Sequence, residues 1–386
     1  MKKYFFLPLI VTHFCSAQTI ETYLAPPFPT DLTASADGKA IAWVFNDKGS
    51  RNIFVAEAPA FVAKAITNYA GDDGIEISNV EFTPDGNQIL FVRGNAPNGK
   101  GETANPAFLQ TSTARNIFVV NKNGAPPRKI IDGYYYKISP DGKALAYISG
   151  GQIWAMFLND TSAKPQKLFQ SRGGQSEIRW SPDASMIAFV SNRGDHSFIG
   201  IYRFTTKTVD FIETSMDNDT YPVWSPDGKQ LAYIRIPNSN NVIPFVPVRE
   251  GNPWSIRSYD VATGNTKELW KASAGRGSVF FNDIPSDETL LWSLEGGRLL
   301  FPYEKDGWQH LYELNISDSK IKLLTPGNGE IENVTVTADR GTVYYTTNIG
   351  DIDRRNIWKL SVANDKTEQL TKGDGIEWSP VITANG

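Results

Sequence analysis

The chain has 386 residues, of which 40% are hydrophobic and 21% charged, proportions that exclude a disordered chain and allow a sizeable core. Its 38 basic and 42 acidic residues give a formal charge of −4, which excludes the strongly basic balance of a nucleic-acid or anionic-membrane binder. Cys15 is the single cysteine, so no disulfide framework exists and the fold must rest on its own apolar core.

The first element reads as an export signal. Lys2 and Lys3 supply a positive end, residues 4–15 form an apolar stretch too short to span a bilayer comfortably, and Ser16-Ala17 offer small residues for cleavage before Gln18. Residues 1–17 are therefore expected to be a signal peptide, and residues 18–386 an exported product, periplasmic or secreted, with no membrane span after cleavage. His13 and Phe14 precede Cys15 where a lipid-attachment site would carry small residues, which favours a soluble product. Loss of Lys2 and Lys3 leaves 36 basic against 42 acidic residues, a charge of −6.

Next in the chain comes a repeat. Five turns share one pattern: Ser35-Ala36-Asp37-Gly38, Thr83-Pro84-Asp85-Gly86, Ser139-Pro140-Asp141-Gly142, Ser181-Pro182-Asp183-Ala184 and Ser225-Pro226-Asp227-Gly228. Each leads into an apolar run in fixed register, with Trp43, Phe91, Tyr147, Phe189 and Tyr233 six residues past the Asp. Proline presets φ, Asp bonds its own following backbone, Gly accepts a positive φ, and a β-rich strand leaves the turn. Weaker copies follow at Glu295-Gly296 and Asp339, and an eighth start appears at Trp378-Ser379-Pro380, with Asn385-Gly386 where its turn would stand.

The spacings between turns are 48, 56, 42, 44, 68, 44 and 46 residues, the period of propeller blades built from short strands. Each unit also carries a later aromatic-centred strand, as at Asn116-Ile117-Phe118 or Asn356-Ile357-Trp358. No long segment has helical periodicity. The expected fold is all-β: a propeller of seven to eight four-stranded blades, the last blade incomplete. A β-sandwich gives no reason to repeat one register in this way.

Two units carry insertions, residues 95–114 and residues 237–252, the latter with the apolar stretch 242–247. Loops on a rigid scaffold are where binding concentrates. Catalytic chemistry is poorly served. There is no Gly-x-Ser-x-Gly pentapeptide, and the mature chain has only His196, expected to face solvent, and His310, expected to be a packed ring in a blade strand. Two distant histidines without cysteine give no zinc cluster. The acid-rich turns Asp72-Asp73, Asp217-Asn218-Asp219 and Asp351-Ile352-Asp353 lack the alternating calcium spacing and read as ordinary turns. No cofactor or metal is expected, and no catalytic residue is assigned.

The later segments discriminate among propellers. The run Leu300-Phe301-Pro302-Tyr303-Glu304-Lys305-Asp306-Gly307-Trp308-Gln309-His310-Leu311-Tyr312 resembles the Gly-Trp-x-His-Leu-Tyr blade of dipeptidyl-peptidase-IV-like propellers, and residues 348–358 and 373–380 are similar to the segments that follow it there. The resemblance, to the amino-terminal propeller of this branch of the prolyl oligopeptidase family, extends over residues 30–386. It implies a propeller that restricts entry to short peptides and contributes substrate-binding groups, with Ser, Asp and His of an α/β-hydrolase domain expected beyond Gly386. This chain alone is then expected to be inactive, its partners being peptide substrate and that hydrolase domain, with a homodimer left open.

Members of the family receive the substrate ammonium on a glutamate pair in a propeller insertion, since two carboxylates offset the desolvation of the cation. No Glu-Glu pair occurs here; the nearest counterpart is Arg249-Glu250, at the end of the second insertion. Arg249 and Glu250 are the expected substrate-binding residues. The departure leaves an oligopeptidase or acylaminoacyl-peptidase-like specificity open beside the dipeptidyl one. The competing class is a non-enzymatic exported propeller that binds protein partners, similar to the Tol-system propeller, which would be expected to carry a mixed α/β domain before its blades.

Overall fold

A hydroxyl, an aspartate and a left-handed residue build the repeated turn. In the computed structural model, which describes residues 20, 27–158, 164–238, 251–280 and 289–383, the Ser181 hydroxyl donates to Asp183 Oδ1 at 2.6 Å and accepts the Met186 amide at 2.9 Å. The amide of Ala184, at φ 58°, closes the turn on the Ser181 carbonyl at 2.9 Å. The same set of bonds recurs at Ser35, Thr83, Ser139, Ser225 and Thr337. Ala184 and Arg340 hold the left-handed position without being glycine, at a cost of roughly 1–2 kcal/mol each.

Among the described residues the chain runs from these turns as 28 short strands, with the 3-10 turn Arg276–Ser278 as the one named helix. The expectation of seven to eight four-stranded blades is corrected. Five free-standing four-stranded sheets form, over residues 28–65, 77–132, 134–167, 291–323 and 331–369, and a single eight-stranded sheet spans 174–271. The fusion has a local cause. Ser197, opening the strand Ser197–Arg203, pairs in parallel with Asn218 of the strand Asn218–Trp224, and its hydroxyl donates to the Asp219 carbonyl at 2.8 Å. The eighth start adds no strand among the described residues; it is tied in by the bridge Arg355↔Ile376. Residues 1–17, 242–247 and Asn385-Gly386 lie outside the described residues.

First strands of successive sheets contact one another, as Phe28–Ala34 does Ile77–Phe82, Tyr134–Ile138 does Gly174–Trp180, and Gly174–Trp180 does Asn218–Trp224. Six residues before each turn aspartate, Asp31, Asn79, Tyr135, Glu177, Tyr221 and Asn333 adopt φ between 43° and 54°. This bulge turns a side chain towards the neighbouring sheet. Asp31 Oδ1 accepts the Asn79 amide at 2.7 Å, and Glu177 Oε2 the Tyr221 amide at 2.7 Å. Ser379, six residues before Asn385, has φ 53° and gives its amide to Asn333 Oδ1 at 3.4 Å. This bond repeats those that the Asn79 and Tyr221 amides give to the preceding first strand. Apolar residues close the contacts between sheets. Ala42 and Ile53 pack with Ile89, Phe91 and Val120, and Ala232 and Trp254 with Leu290, Trp292 and Leu299.

Candidate functional site

In an antiparallel meander, connections alternate between the two ends of the strands. The Ser/Thr-x-Asp turns join first to second strands and therefore share one face. The loops joining second to third strands share the other, with the crossings to the next sheet. Both insertions belong to that second kind: residues 95–114 follow the strand Gln88–Arg93, and residues 237–252 follow the strand Gln230–Ile236. The strand ends that carry them lie on the same face.

The first insertion is pinned at its root. Asn95, 7% exposed, donates to the carbonyls of Gly74 and Ala104 at 3.0 Å each and accepts the Glu76 amide at 3.1 Å. Gly94 has φ 138°, and a Cβ there would meet the Ala114 carbonyl oxygen at 2.5 Å, so the chain can cross itself at this point only with glycine. Phe108, farther along, is 90% exposed.

The second insertion enters and leaves through anchored residues. At entry, the Asn238 amide donates to Asp217 Oδ1 at 3.1 Å and its side chain to the Asp195 carbonyl at 2.8 Å. At exit, the Gly251 amide donates to Ser278 Oγ at 2.7 Å, and Trp254, fully buried against Trp270, Phe280 and Tyr303, gives its indole N–H to the Gly277 carbonyl at 3.1 Å. Trp254 fixes the exit.

Near the anchors of the second insertion lies an ionic cluster that sequence reading missed. Arg235 grips the fully buried Asp219 with two bonds of 2.7 and 2.8 Å, and gives a third to the Glu213 carbonyl at 2.6 Å. Arg257 forks onto Glu213 at 2.8 and 2.6 Å, and the Tyr233 hydroxyl reaches Glu213 Oε2 at 2.8 Å. Burial opposes the charge of Glu213, yet the bonds from Arg257 and Tyr233 with the field of Arg235 hold its carboxyl below the ordinary value. The signal was present as Arg235 and Arg257 on adjacent strands, but a charge in an apolar run names no partner.

The remaining candidates fall as follows. His310 is fully buried in the strand Gln309–Asn315, with Nδ1 3.5 Å from Thr325 Oγ1 and Nε2 3.8 Å from Asp306 Oδ1. Burial lowers its pKa, so the ring is neutral at neutral pH. His196 does not face solvent freely: its side chain is 17% exposed, held by Asp195 at 2.6 Å and packed on Phe198 at 4.9 Å. The acid-rich turns are spoken for. Asp73 pairs with Arg93, Asp72 with Arg51, and Asp351 accepts the Asp353 amide. Among the described residues no three His, Cys, Asp or Glu side chains converge as metal ligands. Arg249 and Glu250 lie outside the described residues, between the anchors Asn238 and Gly251.

Fold and repeat define the class: a β-propeller. The family model of the dipeptidyl peptidase IV N-terminal region matches residues 236–386, from the second insertion onward. Dipeptidyl-peptidase 5 of Porphyromonas gingivalis is 25% identical over 317 residues, 79% of this chain and 41% of that protein, so the chain spans less than half the length of this relative. In fold, it resembles Porphyromonas gingivalis dipeptidyl peptidase 4, with a TM-score of 0.60 and 13% identity over 92% of this chain and 54% of that one. A prolyl endopeptidase gives 0.59 and 15%, over 89% and 49%. Over residues 236–386 the chain is thus similar to the dipeptidyl peptidase IV N-terminal region, and its fold is shared with these peptidases.

Proposed function

We propose that the chain is the substrate-gating and substrate-binding propeller of an exported serine peptidase acting on short peptides, with nucleophile, base and orienting acid in an α/β-hydrolase domain. The observation that carries the reading is the match to the dipeptidyl peptidase IV N-terminal region, which opens at the second insertion. Its support in geometry is that the strand ends carrying both insertions lie on one face, where loops on a rigid ring can meet a second domain and the substrate between them.

On this reading Glu250 receives the ammonium of a bound peptide and Arg249 orients its carboxylate. The described residues on either side are anchored, Asn238 to Asp217 and Gly251 to Ser278. In the complete gene product, Glu250→Gln should raise KM for free-amino peptides by tenfold or more, since a charge-assisted bond contributes roughly 1.5–3 kcal/mol. Amino-blocked peptides should be unaffected. An equal effect on both classes, or none, removes Glu250 from the site. Residues 18–386 alone should not turn over a chromogenic proline-containing dipeptide; turnover abolished by a serine-directed inhibitor would overturn the division of labour. Recovery of the mature chain from periplasm or medium, cleaved before Gln18, tests the export.

A further inference from the structure

The face opposite the insertions carries grooves between successive sheets, and three of them differ in chemistry. One, of 530 Å³, is lined by Asp85 and Asp141 with Arg128; a second, of 590 Å³, by Asp227, Asp260 and Glu295 with Lys229 and Arg298. Acids outnumber bases in both. The third, of 360 Å³, lies between the sheet 134–167 and the strands that follow it, and reverses the balance: Lys143, Lys164 and Lys207 line it with Asp141 as its one carboxylate.

That carboxylate is engaged. Asp141 Oδ1 accepts the Ser139 hydroxyl at 2.6 Å and the Lys143 amide at 3.1 Å, and Oδ2 lies 3.3 Å from Lys143 Nζ. Lys164 and Lys207 are both exposed, and among the described residues neither forms an ion pair. They come from separate elements, one before the strand Gln166–Lys167 and the other in the turn after the strand Ser197–Arg203, yet line one cavity.

The lining of the groove is aromatic and held in place. Trp180 and Phe204 stack with centroids 5.3 Å apart and planes 5° from parallel, Tyr202 meets Phe204 edge-on at 5.0 Å, and the Trp180 indole N–H is bonded to the Lys137 carbonyl at 3.0 Å. Phe157, at the rim, is 60% exposed. An aromatic lining with two lysines that pair with no described acid matches a ligand with a flat apolar body and a negative end.

We propose that this groove is a binding site for a small planar aryl carboxylate, with its ring against Trp180, Phe204 and Phe157 and its carboxylate between Lys164 and Lys207. It lies on the opposite face from the proposed peptide site and does not depend on that reading.

The test uses naphthalene-2-carboxylate as probe, naphthalen-2-ol as its uncharged counterpart, and calorimetric titration of the mature chain at fixed ionic strength. The expected result is one-to-one binding that weakens about tenfold or more in Lys164→Glu/Lys207→Glu, where attraction at two contacts becomes repulsion. Lys229→Glu, in the acidic groove, should leave the affinity unchanged, and Phe204→Leu should weaken the carboxylate and the naphthol alike. Unchanged thermal melting of the lysine variant shows that its fold is kept; should it melt early, the single variants Lys164→Gln and Lys207→Gln carry the test with the same expectation. Absence of saturable binding, equal affinity for acid and naphthol, or an unchanged affinity in the lysine variants overturns the proposal.

Discussion

The two faces of the propeller are built by opposite means. On the turn face, the same hydroxyl, aspartate and left-handed residue recur, and each turn is closed by bonds within a few residues of itself. On the insertion face, stability comes from groups far apart in the chain, such as Arg257 and Glu213, which are 44 residues apart. Local closure can be repeated without regard to neighbours, so it makes a uniform scaffold. Long-range closure is particular to one place, and it sits at the root of the insertion where the two proposed substrate-binding residues are carried.

This contrast predicts unequal costs of mutation. The largest is expected at Arg235→Met, which leaves Asp219 buried without its partner; unfolding in urea should show a loss of about 3–5 kcal/mol. Adding Asp219→Leu should recover much of that loss, because the penalty lies in the orphaned charge, and a double variant no better than the single would break the argument. Next is Ser181→Ala on the turn face. It removes a buried hydroxyl that serves Asp183 and the Met186 amide, and should cost about 1–3 kcal/mol. If Ser181→Ala costs more than Arg235→Met, the uniform face is the more tightly specified one.

A smaller effect concerns pH. Hydroxyl bonds from Ser35, Thr83, Ser139, Ser181, Ser225 and Thr337 hold the carboxyls of Asp37, Asp85, Asp141, Asp183, Asp227 and Asp339 below their ordinary value of 3.8. A folded pKa below the unfolded one contributes stability above the ordinary value and loses it as pH falls through the folded value. The urea midpoint should therefore decline as pH drops below about 4, and the decline should be shallower in a chain with several of these hydroxyl residues replaced by alanine. Identical pH profiles would deny the hydroxyls this role. The smallest change is expected at Ala184→Gly. Ala184 sits at φ 58°, so glycine should be neutral or stabilising by up to about 1 kcal/mol, against its usual destabilising effect in extended backbone.

Much of the scaffold was legible because its signals are local. Each turn is spelled by consecutive residues, and the aromatic six places on marks the strand that must pair. The left-handed residues of the first strands were not read, although they stand six places before every turn aspartate. Asp, Asn, Tyr, Glu and Ser share no side-chain character there; what they share is a backbone conformation. The ionic cluster was missed for a related reason: Asp219 reads as one acid in an acid-rich turn until Arg235 of the neighbouring strand is placed beside it. His196 was placed too far into solvent, since its contacts with Asp195 and Phe198 depend on how the hairpin folds back.

By itself the sequence determined the repeat, the all-β class and the positions of the two insertions, because a turn and the strand leaving it are selected by neighbours a few residues away. Tertiary structure alone decided that the fourth and fifth units share one sheet, that the strand ends carrying both insertions lie on one face, and which charges are paired near the anchors of the second. Those outcomes depend on which edges and side chains meet when separate meanders are packed around an axis. Ser197 and Asn218 can pair only after their strands have been brought side by side, and Lys164 and Lys207 line one groove only because adjacent sheets hold their turns together.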